Sequence, residues 1–120
     1  MLKTLAFGAA ALSLAAASAA QAEPSNCLNL STLQSTRVAD EHTVYMRASD
    51  RGIYRVDFAG GCSTAPNEAL VVHAVGDDRL ICRPIQLDIH VRASGQACIA
   101  TGFTRLTPDE VAALPKSVLP

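Results

Sequence analysis

The chain has 120 residues, a formal net charge of −1, no tryptophan and four cysteines. That length makes one domain, and its near-neutral charge excludes the basic surface a nucleic-acid binder needs to displace phosphate counterions. The same balance provides no polybasic patch for an anionic membrane, and a 4% aromatic content argues against stacking on bases or sugars.

Residues 1–22 have the layout of a secretory signal. Lys3 supplies the positive start, and Leu5 to Ala20 form an alanine- and leucine-rich run. Ala20-Gln21-Ala22 then presents small residues to a signal peptidase, so cleavage is expected between Ala22 and Glu23. The run falls short of the roughly 18 residues a membrane helix needs, and no membrane anchor is expected after cleavage. An uncleaved N-terminal anchor is the alternative. Without Lys3, the remaining domain, 23–120, carries nine basic against eleven acidic residues.

All four cysteines, Cys27, Cys62, Cys82 and Cys98, follow that site, and an even count in a short exported chain reads as two disulfides. Three pairings are possible. Cys27–Cys62 with Cys82–Cys98 is favoured because each bridge then ties near neighbours. No C-x-x-C pair offers the close thiolate spacing of a zinc knuckle. A lipoprotein signal would need an aliphatic residue three before Cys27 and a small one just before it. Pro24 and Asn26 stand there instead, so Cys27 reads as a staple and not a lipid anchor.

Residues 23–34 read as an extended leading segment held at Cys27. In the next stretch Val44 and Met46 alternate with Tyr45 and Arg47, while Tyr54, Val56 and Phe58 alternate with Arg55 and Asp57. That predicts a hairpin turning through Ser49-Asp50-Arg51-Gly52, with Gly52 supplying the positive φ. Residues 59–68 are a loop by composition, and LVVHAV (70–75) reads as a central strand. Gly76-Asp77-Asp78 is a turn, and Pro84 marks an edge or a bend. IQLDIHVR then places Ile85, Leu87, Ile89 and Val91 on one face and Gln86, Asp88, His90 and Arg92 on the other. Ala93-Ser94-Gly95 turns the chain back into QACIATGF. Thr107, Pro108 and Glu110 form the start of a short helix that Pro115 ends. The expectation is a mainly β domain, a small antiparallel barrel or sandwich of about six strands with one C-terminal helix.

The chemistry-bearing residues are sparse. Asp88 and His90 lie on the polar side of one strand and could hold a metal with a third ligand, but alternating polar residues are usually a solvated face. His73 in its apolar run reads as a core or rim residue, His42 beside Asp40 and Glu41 as surface polarity, and Asp77-Asp78 as a turn. Ser94 lacks the G-x-S-x-G context of a hydrolase elbow. Asn29-Leu30-Ser31 matches a glycosylation acceptor, a tripeptide common by chance. Tyr45, Arg47, Tyr54 and Arg55 are of the types enriched at protein interfaces and form the expected interaction surface. No catalytic residue, metal or cofactor is expected.

VYMR (44–47), GIYR (52–55), Cys62 seven residues after Arg55, LIC (80–82) and GQACIATGF (95–103) resemble a group of small secreted or lipid-anchored proteobacterial proteins, a domain family of unknown function. The resemblance runs from Cys27 to about Phe103. It implies a cell-envelope β domain with two disulfides and no assigned activity. The group often has asparagine where this chain has Val56, and an acidic residue where it has Arg83-Pro84-Ile85. Three functions follow as expectations. The first is a non-catalytic binding or structural module of the envelope, with an envelope protein as partner. The second is a hydrolase inhibitor presenting residues 59–68 as a rigid loop. The third is a metal-dependent enzyme using Asp88 and His90.

Overall fold

The computed structural model describes residues 26–62 and 68–120. The signal segment with its Ala22–Glu23 site, and residues 63–67 of the loop expected at 59–68, lie outside the described residues. Eight strands are present among them: β1 (Leu28–Asn29), β2 (Leu33–Asp40), β3 (Thr43–Ala48), β4 (Ile53–Ala59), β5 (Leu70–Ala74), β6 (Leu80–Ile81), β7 (Leu87–Val91) and β8 (Ala97–Arg105). One short helix follows, α1 (Pro108–Ala112). Six strands form an antiparallel half-barrel in the order β2-β3-β4-β8-β7-β5, and β1 pairs with β6 in a separate ribbon.

The predicted hairpin is β3–β4, with Val44 opposite Val56 and Met46 opposite Tyr54. Because side chains alternate along a strand, Val44, Met46, Tyr54, Val56 and Phe58 share one face. They are all buried there, together with Leu28 and Ile81 from the two-stranded ribbon and Ile89 and Val91 from β7. The other face of the hairpin is also covered, since Thr43, Tyr45 and Ile53 are buried as well. The C-terminal segment lies over it: α1 follows β8 through a Leu106 N–H to Ile53 carbonyl bond of 2.9 Å, and the turn Lys116–Val118 returns against β2. Thr107 caps α1 through its side chain, and Glu110 closes the expected capping box.

Four expectations are corrected. The disulfides are Cys27–Cys82 and Cys62–Cys98, not Cys27–Cys62 and Cys82–Cys98. The β1–β6 pairing brings Leu28 opposite Ile81, which sets Cys27 beside Cys82, while the half-barrel sets Cys62 beside Cys98. Proximity in sequence is overridden by strand pairing. LVVHAV is an edge strand and not a central one, because β5 pairs only with β7. Ile85 does not join the inward face of β7, since Pro84–Gln86 is a 3-10 turn and Ile85 is 78% exposed. Strand β2 has no counterpart among the expected elements, because its largely polar residues carry no clear alternation.

The fourth correction is at the hairpin tip. The positive φ falls on Arg51, at 68°, and not on Gly52. A Cβ at Gly52 would meet the flexible ends of two side chains, Asp50 Oδ1 at 2.9 Å and the Arg105 guanidinium at 3.0 Å, so any larger residue there displaces the Asp50–Arg105 pair.

Candidate functional site

The residues expected to form one interaction surface divide between two faces. Tyr45, Arg47 and Arg55 lie on the face under the C-terminal segment, with Tyr45 opposite Arg55. Tyr54 lies on the core face, 1% exposed, so it cannot present its ring to a partner. Arg55 Nε donates to Asp57 Oδ1 at 2.9 Å, an ion pair that raises the guanidinium above its ordinary value. Gly102 stands opposite Asp57, where a Cβ would lie 2.7 Å from Asp57 Oδ2.

Tyr54 serves a different purpose. Its hydroxyl donates to the Cys27 carbonyl at 3.2 Å and accepts from Arg105 Nη1 at 3.0 Å. Its ring stacks on Phe103, with centroids 5.3 Å apart, and carries the Arg105 guanidinium over it at 5.5 Å. Arg105 in turn reaches Asp50 Oδ2 at 3.3 Å. Asp50 Oδ1 also accepts the Gly52 N–H at 2.9 Å. That backbone donor, followed by Arg105, holds the Asp50 carboxyl below its ordinary range. A polar chain therefore runs from the hairpin tip through Arg105 and Tyr54 to the first disulfide.

Beside this chain lies a groove of about 680 Å3 between the hairpin tip and α1, lined by Asn26, Asp50, Arg51, Gly52, Ile53, Arg105, Leu106, Thr107, Pro108 and Val111. A second hollow of about 420 Å3 shares Arg51, Ile53 and Val111 and adds Gln34, Arg47 and Ser49. Together they have apolar walls of Ile53, Leu106, Pro108 and Val111, and three arginines, Arg47, Arg51 and Arg105. Arg105 is paired with Asp50, whereas Arg47 and Arg51 have no ion-pair partner among the described residues. Arg51 holds its side chain here from a left-handed backbone that normally goes to Gly or Asn, at a cost of about 1 kcal/mol or more. Of the three arginines, only Arg47 stands among the residues expected from sequence to form an interaction surface; Arg51 and Arg105 do not. The signal for Arg51 was its place in a tight turn directly before Gly52.

The other candidates resolve as follows. Asp78 Oδ1 accepts the Leu80 N–H at 2.9 Å, a turn. Ser94 Oγ accepts the Gln96 N–H at 3.2 Å, and Gly95 has φ of 70°, again a turn. Asn29 Oδ1 accepts the Ser31 N–H at 3.0 Å and so caps a 3-10 turn. His42 is exposed beside Glu41 at 3.3 Å. His73 is not a core residue but an exposed one on β5. His90 Nδ1 lies 3.8 Å from Asp88 Oδ1. As the side chains lie, no three His, Cys, Asp or Glu residues among the described ones share one ion position. Of the loop expected to engage a hydrolase, Ala59, Gly60, Gly61, Cys62 and Glu68 are described, Ala59 as the last residue of β4, and Cys62 anchors the loop to Cys98; residues 63–67 lie outside the described residues. No helix among the described residues is long and apolar enough to cross a membrane.

Comparison of the chain with protein-family models, with curated proteins and with solved structures finds no match. The two disulfides are consistent with an oxidising, exported environment.

Proposed function

We propose that this chain is an exported, non-catalytic binding module of the bacterial cell envelope, taking an acidic, partly apolar segment of a partner protein in the groove between hairpin tip and α1. The observation that carries the reading is Arg51, a charged side chain held over an apolar groove from a left-handed backbone and lacking an ion-pair partner among the described residues. Strained residues that persist gather at functional sites. Arg47 extends the positive rim, and Ile53 and Val111 offer the apolar contact that arginine rims commonly surround. Export rests on the signal-like residues 1–22, on the disulfides, and on the resemblance to secreted proteobacterial proteins.

The test is photocrosslinking in the native envelope from a probe at Ser49, on the groove rim. One specific partner should be captured, lost when Arg47→Ala and Arg51→Ala are combined, and retained with Arg92→Ala, which lies outside the groove. Absence of a partner, or capture indifferent to Arg47 and Arg51, sinks the reading.

A further inference from the structure

The two disulfides differ in their access to solvent. Cys62 and Cys98 are both buried, Cys98 on β8 between β4 and β7. Cys82 is exposed and Cys27 half-buried, at one end of a ribbon with only two residues in each strand. Exchange needs a thiolate to reach one of the bonded sulfurs, so access ranks Cys27–Cys82 as the bond that opens first. Arg83 directly follows Cys82, is exposed, and has no ion-pair partner among the described residues. A cation there favours both an approaching thiolate and the one left behind.

The two ends of this bond are held differently. Gln86 Oε1 accepts the Cys82 N–H at 2.7 Å and the Arg83 N–H at 2.9 Å, which fixes Cys82 whether or not the bond is intact. Cys27 is followed by the fully buried Leu28, but Asn26 before it lines the hairpin-tip groove. The Cys27 carbonyl is tied to the same groove through Tyr54, Arg105 and Asp50. We propose that Cys27–Cys82 is an exchange site for a protein dithiol, whose reduction loosens the groove wall at Asn26 and the Tyr54–Arg105–Asp50 chain. Its effect on binding rests on the groove reading given above. In the first step a thiolate of the dithiol bonds to Cys82 Sγ as the bond between the two cysteine sulfurs breaks. Cys27 leaves as a thiolate and takes a proton from solvent. The second thiolate of the donor then attacks its own partner sulfur in the mixed disulfide. That step releases Cys82 as a thiolate, which is protonated, and leaves the donor oxidised to a disulfide.

The test uses the oxidised protein with no partner present, so its result stands apart from the crosslinking experiment. Alkylation during reduction by dithiothreitol, mapped by mass spectrometry, should label Cys27 and Cys82 at least about tenfold sooner than Cys62 and Cys98. Glutathione should be trapped as a mixed disulfide on Cys82 and not on Cys27. In the selectively opened protein, circular dichroism should still report the β fold. Amide exchange should rise about tenfold at residues 50–54 and 105–108 but not along β7. The proposal is overturned if both bonds open together or if glutathione settles on Cys27. It is equally overturned if opening unfolds the chain, or if exchange at the hairpin tip is unchanged.

Discussion

Arg105 and Tyr54 meet twice: the guanidinium lies over the phenol ring at 5.5 Å and also donates to its hydroxyl at 3.0 Å. The two residues are directly opposed on β8 and β4, so the pairing register itself makes the contact. The hydroxyl then passes the connection on to the Cys27 carbonyl.

Tyr54→Phe keeps the stacked ring and removes only that hydroxyl. Cys27 loses a donor and Arg105 an acceptor, so the folded state should lose about 1–2 kcal/mol. Urea unfolding should show a lower midpoint with an unchanged slope. A midpoint identical to that of the parent protein would mean that solvent replaces the hydroxyl at no cost.

Arg51→Gly separates stability from binding. Glycine takes a φ of 68° without penalty, so the variant should gain about 0.5–1 kcal/mol while losing crosslinking at the groove. Lower stability in the glycine variant would show that the arginine stem packs on the groove and that its backbone carries no net strain.

Asp50 makes part of the stability depend on pH. Its carboxyl is held below 3.8, first by the Gly52 N–H and then by Arg105, so it ionises more readily folded than unfolded. Its contribution is therefore complete above the unfolded value and disappears as pH falls through the lower folded value. With the side chain 58% exposed, solvent screening limits the effect to a few tenths of a kcal/mol. Thermal melts of the parent protein and Asp50→Asn should differ at pH 6 and draw together on acidification, as the folded carboxyl takes up its proton. A gap that widens toward acid would contradict this assignment.

The disulfides can be mapped directly. Tryptic digestion without reduction should link the peptide ending at Arg37 to residues 80–92, and residues 56–79 to residues 93–105. Pairing of neighbours would instead join the Arg37 peptide to 56–79. Bridges spanning separations of 55 and 36 residues each contribute about 4 kcal/mol in the chain-entropy description, so replacing either pair with alanines should cost several kcal/mol.

Much of the sheet could be read locally. Strands β4 and β7 alternate cleanly because one set of side chains meets the core and the other meets solvent or polar neighbours. Thr107, Pro108 and Glu110 wrote the helix start in adjacent residues. What escaped reading depends on contacts distant in sequence. Tyr45 and Ile53 are buried on a face that the C-terminal segment reaches from far along the chain, through the Leu106 N–H to Ile53 carbonyl bond and the Lys116–Val118 turn against β2. Tyr54 has the chemistry of a surface residue, yet Arg105 and the Cys27 carbonyl satisfy its hydroxyl inside. The groove needs the hairpin tip, the end of β8 and α1 together, and no window of sequence contains all three.

The two disulfides interleave, since Cys62 falls between Cys27 and Cys82, and Cys82 between Cys62 and Cys98. A chain emerging N-terminus first exposes Cys27 and Cys62 to oxidant before either correct partner arrives. Joining cysteines in order of appearance thus makes both bonds wrong. Efficient maturation accordingly calls either for oxidation that waits until β6 and β8 have emerged, or for an isomerase that exchanges the premature bond. Yield in cells lacking such an enzyme should be limited by this crossing of the covalent links.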